Sequence, residues 1–132
     1  MADECPLSAQ EQEWLEAGVV EFNGGRYWHA HEDWEEMWKS LKARRAEQRF
    51  ILGIQGLIQT TALMFQYERR NSRGVLSMWG RLTDKIGNPD APLFDDLWSL
   101  DVPRLLREVL PFLDDARADE PTWRLDPHTV RL

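Results

Sequence analysis

Histidine, glutamate and aromatic side chains are concentrated in one short segment, Phe22–Trp38, which reads FNGGRYWHAHEDWEEMW. His31 and Glu35 are four residues apart, so on a helix they lie on the same face. A histidine and a glutamate at this spacing can bind one metal ion together. Alternatively, the carboxylate can orient the imidazole and stabilise its protonated form, so that the histidine acts as a general base. Either chemistry needs partner side chains from a second helix.

Partner side chains are present in a later apolar segment, where Gln55 and Gln59 are also four residues apart. Amides are poor zinc ligands, and the motif H-E-x-x-E lacks the second histidine of the zinc peptidases. The third histidine, His128, lies far along the chain, and the Glu-x-x-His pair of di-iron bundles does not occur. We therefore predict no metal site. His31 and Glu35 are the weak candidate ligands, and they suit iron, manganese or magnesium better than zinc.

The same residues also allow a purely structural interpretation. A half-buried histidine, hydrogen-bonded to a carboxylate or an amide of the next helix, would fix the register of the two helices. Trp28, Trp34 and Trp38 are more typical of a core or an interface than of a ligand pocket. A structural cluster, a functional pocket and a metal site thus stay open as alternatives, and the structural cluster is favoured.

The elements that would position these residues are predicted from capping signals and from apolar residues at helical spacing. Ser8 and Glu11 fit a capping box, and Asn23-Gly24-Gly25 ends the first helix. The second helix is predicted over Tyr27–Ala43 and a central third helix over Ala46–Arg69, two faces of which are apolar. The basic residues around the junction are interpreted as a solvated helix end that complements the helix dipole. These residues are Lys39, Lys42, Arg44, Arg45 and Arg49.

The second half of the chain predicts shorter elements. A fourth amphipathic helix carries apolar residues from Val75 to Ile86, and the turn at Gly87–Asp90 ends it. Pro92 is expected to open a short helix, and Asp101 to cap a final helix with Pro103 in its first turn. No strand pattern is visible. The predicted fold class is therefore all-α, a single-domain helical bundle or array of about five helices with no sheet.

Length and composition narrow the class of protein further. The 132 residues fit one domain, predicted over residues 1–118 and followed by a C-terminal tail at 119–132 that Trp123 could anchor. Seven tryptophans indicate an aromatic core or an interface, which makes self-association an expected role. The formal net charge of −7 argues against a nucleic-acid partner.

The expected location is the cytoplasm. Cys5 is the only cysteine, which excludes an intrachain disulfide and suits a reducing compartment. The first ten residues lack the basic and apolar regions of a signal peptide, and the longest apolar run is too short to span a membrane. We therefore predict a cytoplasmic protein without a membrane partner.

The chain resembles domain-of-unknown-function family 309 in its first motif, Phe22-Asn23-x-Gly25-x-Tyr27-x-x-x-His31-Glu32-x-x-Glu35-x-x-Trp38. The resemblance continues with Gln55-Gly56-Leu57-Ile58-Gln59 and with the turn Asn71-x-x-Gly74, and it covers roughly residues 10–85. It implies a small all-helical domain of bacteria and archaea. It does not indicate a reaction, and the cofactor stays unknown. The candidate pocket or structural cluster that it carries onto this chain is Asn23, Tyr27, His31, Glu32, Glu35, Trp38 and Gln59.

Two departures from the family pattern bear on the metal hypothesis. His29 stands where the family usually has a glutamate, and Gln66 stands near the place where many members have a histidine. A family metal site that used this histidine would lack one ligand here. Two hypotheses of function follow: a structural or protein-interaction module with a polar cluster between the second and third helices, or an enzyme, small-ligand or metal-binding protein that uses His31 and Glu35. The first agrees better with the incomplete ligand set.

Overall fold

The computed structural model describes residues 5–132, and five α-helices form most of this part of the chain. The helices are α1 (Ala9–Asn23), α2 (Tyr27–Ala43), α3 (Gln48–Glu68), α4 (Ser72–Ile86) and α5 (Val102–Ala116). Residues 1–4, which the sequence analysis included in the domain and in the search for a signal peptide, lie outside the described residues. The mainly helical prediction is confirmed. Within residues 5–132, no helix combines the length and the apolar content needed to cross a membrane.

Helix α1 begins and ends at the predicted residues because local side chains satisfy its terminal groups. The Ser8 hydroxyl accepts a hydrogen bond from the Glu11 amide at 3.1 Å, and the Glu11 carboxylate accepts one from the Ser8 amide at 3.0 Å. At the other end, Gly25 adopts a φ of +77°, a conformation that glycine takes without strain. The short turn folds α2 back against α1.

The contact between α1 and α2 is built around one tryptophan. Trp34 is fully buried, and its indole N–H donates to the backbone carbonyl of Leu15 at 3.2 Å. The indole lies directly over Gly18, where a methyl group would overlap the ring. Glycine at this position therefore lets the two helices approach closely enough to bury this tryptophan.

Helix α3 is the central helix, as predicted. It packs against α2 along one side and against α4 along the other, and α5 contacts both α3 and α4. Ile54, Leu57, Leu63 and Met64 of α3 are fully buried. The remaining side of α3 is half-buried between α2 and α4, and this side carries the two glutamines that the sequence analysis chose as partners for the histidine.

The prediction that the fold contains no sheet is wrong, and so is the short helix expected from Pro92. Strand β1 (Gly87–Asn88) pairs with β2 (Ala91–Pro92), and β3 (Asp96–Leu97) pairs with β4 (Leu100–Asp101), both antiparallel. In the first hairpin the Asn88 side chain accepts hydrogen bonds from two backbone amides of the turn, at 3.2 and 3.1 Å. This local bonding stabilises a turn in place of a helix.

The turn of the second hairpin does not contain the residues that usually form tight hairpin turns. Its two central residues, Trp98 and Ser99, have φ values of 50° and 71°, as tight hairpin turns require. Glycine and asparagine usually fill such positions. Here the Trp98 indole compensates, because it donates to the carbonyl of Cys5 at 3.0 Å and packs against the ring of Phe50.

Helix α5 starts where predicted, with the Asp101 carboxylate accepting from the Arg104 amide at 3.0 Å, and it continues through Pro111 to Ala116. The following residues return over the helices. Trp123 packs against Tyr67 of α3, and Val130 is buried. The domain boundary at residue 118 stays a prediction.

Candidate functional site

His31 lies at the edge of the interface between α2 and α3, with a side chain that is 23% exposed. Its ring stacks on the indole of Trp28, with ring centres 5.3 Å apart and planes 6° from parallel. Its Nδ1 atom is 3.5 Å from Oε1 of Glu35, which is long for a hydrogen bond. Among residues 5–132, the buried side-chain polar atoms without a hydrogen-bond partner are Nδ1 of His31 and Nε1 of Trp38.

A small open cleft with a volume of about 110 Å³ lies beside His31 and Trp38. It is lined by Glu35 and Trp38 of α2 and by Gln55, Ile58 and Gln59 of α3. Lys42, one helical turn beyond Trp38, places its ammonium group 4.3 Å from the centre of the indole ring. The cleft thus combines a carboxylate, an amide and an aromatic wall.

Gln59 also connects α3 to α4. In the amide orientation that satisfies both of its polar atoms, it donates to the carbonyl of Arg81 at 3.0 Å and accepts from Nζ of Lys85 at 3.1 Å. Its amide is therefore committed to holding two helices together. Of the predicted cluster, Glu35, Trp38 and Gln59 line one cleft and His31 lies next to it.

The other three predicted residues lie elsewhere. Asn23 binds the backbone of Leu132, with both hydrogen bonds at 2.8 Å. Tyr27 is buried against Phe22, and burial, together with the negative charges of nearby carboxylates, raises the pKa of its phenol. Glu32 faces solvent with His29, 3.6 Å away. The signature residues of α2 and of the preceding turn therefore do not converge on one site.

Two further observations concern metal binding. Within residues 5–132, no group of three or more histidine, cysteine, aspartate or glutamate side chains is placed to hold a metal ion. His31 and Glu35 offer two donors on one helix face. Gln66, near the position where the family pattern has a histidine, accepts a hydrogen bond from the Asn71 side chain at 2.9 Å. Asn71 in turn caps α4, so this amide serves the turn between α3 and α4.

Sequence reasoning missed an ion pair between a buried carboxylate and an arginine at the far end of α2. Glu11 is fully buried and accepts hydrogen bonds from two nitrogens of Arg44, both at 2.9 Å, and from the hydroxyl of Ser40 at 2.6 Å. Burial alone would raise the pKa of this carboxyl, but the bonds from Arg44, Ser40 and Ser8 outweigh it and lower the pKa to about 2. Arg44 was interpreted as part of a solvated helix end, and only its partner 33 residues earlier shows otherwise.

A second polar network that the sequence did not indicate joins α3, α5 and the last residues of the chain. The Tyr67 hydroxyl donates to Asp115 at 2.6 Å, and Asp115 also accepts from the backbone amides of Thr122 and Trp123, each at 2.9 Å. Burial would raise the pKa of Asp115, but these hydrogen bonds lower it. The Tyr67 hydroxyl also accepts from the Leu125 amide at 3.1 Å.

Comparison with known proteins agrees with the predicted resemblance. A family described as Domain of unknown function (DUF309) has a model that matches residues 15–78. The matched segment covers most of α1, all of α2 and α3, and the first half of α4. No curated protein matches the chain, and no solved structure matches it. The predicted resemblance to this family is thereby confirmed over residues 15–78, just under half of the chain.

Proposed function

We propose that this protein is a non-catalytic interaction module that self-associates through an aromatic strip on the α2–α3 face. The aromatic strip consists of Trp28, His31 and Trp38 of α2 and Ile58 and Phe65 of α3. The observation that supports this role is the position of Trp28, which is 56% exposed, stacks on His31 and lies 6.1 Å from the ring of Phe65. Exposed aromatic patches of this kind are typical of protein interfaces.

The charges along α2 favour a second copy of the chain as the partner. The carboxylate of Glu35 precedes Trp38 on the strip, and the ammonium of Lys42 follows it. When two α2 helices cross in antiparallel orientation near Trp38, Glu35 of each copy faces Lys42 of the other. A two-fold interface joins the same patch on both copies and so forms each of these pairs twice.

Sedimentation equilibrium tests this proposal. The wild-type protein is expected to be a dimer at micromolar concentration. Trp28→Ala is expected to weaken the dimer at least tenfold, because truncating an aromatic side chain that an interface buries often costs roughly 2 kcal/mol or more. Val20→Ala is the matched control, since Val20 is 62% exposed but lies on α1 outside the strip. A wild-type protein that stays monomeric at about 100 μM would refute self-association.

The cleft supports a second candidate function, the binding of a small ligand or metal ion beside His31 and Glu35. The supporting observation is the pair of unpartnered nitrogens next to the cleft that Glu35 lines. The test is thermal unfolding of wild type and His31→Ala, each with EDTA and with zinc, manganese or iron. A metal-dependent rise in melting temperature in the wild type alone supports this candidate. Equal curves under all conditions count against a metal at this position.

A further inference from the structure

Residues 121–132 are bound to the helices in the manner of an extended peptide. Side chains at alternate positions turn inward, as in a strand laid on a surface: the inward residues are Pro121, Trp123, Leu125 and Pro127, and the residues between them are exposed. A short 3-10 turn at Pro127–Thr129 then changes the register, after which Val130 is buried and Leu132 is half-buried. Every inward residue of the segment is apolar.

The helices bind the backbone of this segment through five side chains, which we name the tail groove: Asn23, Tyr67, Arg104, Glu108 and Asp115. Arg104 donates to the carbonyl of Arg131 at 3.2 Å. Asp115 accepts from the Trp123 amide and Tyr67 from the Leu125 amide, as described above. Glu108 accepts from the Arg131 amide at 3.0 Å. The Asn23 amide completes the series with its paired bonds to the N–H and C=O of Leu132.

These contacts have the chemistry of peptide recognition. Hydrogen bonds to the backbone hold any extended chain of the right length, whereas the apolar contacts at alternate positions select its sequence. The Trp123 ring lies 5.1 Å from Tyr67, and Val130 is 1% exposed. The family match supplies a second argument, because it includes Asn23 and Tyr67 and ends long before the segment that they bind.

We propose that the tail groove is a peptide-binding site, filled here by the chain's own residues 121–132, and that it also accepts the 121–132 segment of a second copy. Both copies carry the same groove and the same segment, so exchange between them conserves every contact. The connecting residues 117–120 are all exposed, so the segment can detach there without opening the helical core. This binding mode is independent of the aromatic strip.

A labelled synthetic peptide with the sequence of residues 119–132 tests the site in the full-length protein. In the wild type the attached segment competes at a high effective concentration, so the peptide is expected to bind weakly. Val130→Asp places a charge on the buried position of the attached segment and should free the groove, raising peptide affinity at least tenfold. Arg124→Ala, an exposed position of the same segment, should behave like the wild type. Adding Asn23→Ala to Val130→Asp should abolish the gain.

A folded Val130→Asp variant that binds the peptide no better than the wild type overturns the proposal. If circular dichroism shows instead that this variant is unfolded, hydrogen exchange on the wild-type protein decides. The amides of Leu125, Arg131 and Leu132 should exchange at least tenfold faster than those of Leu57 and Leu63 in α3. Equal rates with the same denaturant dependence would mean that the segment opens only with the core, and would also overturn the proposal.

Side-chain variants make the exchange measurement specific. Asn23→Ala removes both hydrogen bonds to Leu132 and should accelerate exchange at that amide without changing the rates in α3. Asn88→Ala is the matched control, because it also removes two hydrogen bonds between an asparagine side chain and the backbone, but in the turn between β1 and β2. Equal acceleration at Leu132 in the two variants would contradict a specific role of Asn23 in the groove.

Discussion

Glu11 is buried and pairs with the partly exposed Arg44, so its charge should stabilise the folded protein in a pH-dependent way. The pKa of the Glu11 carboxyl falls from an ordinary 4.5 to about 2 in the folded protein. Each tenfold difference in proton affinity corresponds to about 1.4 kcal/mol, so the ionised carboxylate contributes about 3 kcal/mol at neutral pH. The Arg44 side chain is 42% exposed and therefore partly screened, which reduces the figure to about 2 kcal/mol.

The direction of the pH dependence follows from the lowered pKa. Above about pH 5 the carboxylate is ionised in both the folded and the unfolded chain, and the full contribution is present. As the pH falls from 4.5 towards 2, the unfolded chain takes up a proton before the folded one does, and the contribution is lost. Between pH 6 and pH 3 the loss amounts to about 1.5–2 kcal/mol in the wild type. The Glu11→Gln variant does not lose this free energy of unfolding between the two pH values, because the amide of glutamine does not titrate.

Urea unfolding at pH 6 and at pH 3 measures this difference. At pH 6, Glu11→Gln should be less stable than the wild type by about 2 kcal/mol, and at pH 3 the gap should shrink below about 1 kcal/mol. Glu13→Gln removes the same charge from the exposed side of α1 and should leave both free energies of unfolding within about 0.5 kcal/mol of the wild type. A gap between wild type and Glu11→Gln that is the same at both pH values would refute the reasoning.

Two further substitutions test the contacts of α2. Gly18→Ala should lower the free energy of unfolding by about 1–3 kcal/mol, because the added methyl overlaps the Trp34 ring. The control Gly80→Ala, with open space at the new methyl, should be neutral or raise it by up to about 1 kcal/mol. His31→Ala should cost less than about 1 kcal/mol, since the Glu35 side chain that it would leave is already 42% exposed. Urea unfolding measures all three, and a loss above about 2 kcal/mol for His31→Ala would show that His31 locks α2 against α3.

The helices could be predicted from the sequence because their signals are local. Ser8 and Asp101 cap helices through amides three residues away, and Gly25 supplies the turn conformation that separates α1 from α2. The second hairpin was missed because the contact that stabilises its turn is not local. The second turn uses Trp98 and Ser99, which are stabilised by a bond from Trp98 to Cys5, 93 residues away in the chain.

The candidate site was only partly predictable from the sequence. Spacing along one helix shows which side chains share a face, but it does not show which residues of other helices contact that face. The position of His31 next to Glu35 follows from a separation of four residues. By contrast, Gln59 was expected to face the histidine, and it is bonded to α4 instead. Arg44 and Glu11 meet across 33 residues, and no period or motif in the sequence connects them. Such long-range pairs need the fold before they can be recognised.

The residues of the family signature lie on two different surfaces near α2. The aromatic strip and the tail groove can therefore be tested separately. Asn23, just before α2, binds the last residues of the chain, whereas His31, Glu35 and Trp38 border the cleft and the strip. Substitutions at Asn23 should therefore change hydrogen exchange at Leu132 without changing the dimer that forms through the aromatic strip. Substitutions at Trp28 should weaken the dimer and leave that exchange as it is. If either substitution altered both the dimer and the exchange at Leu132, the two surfaces would be coupled. The signature residues along α2 would then belong to a single interface.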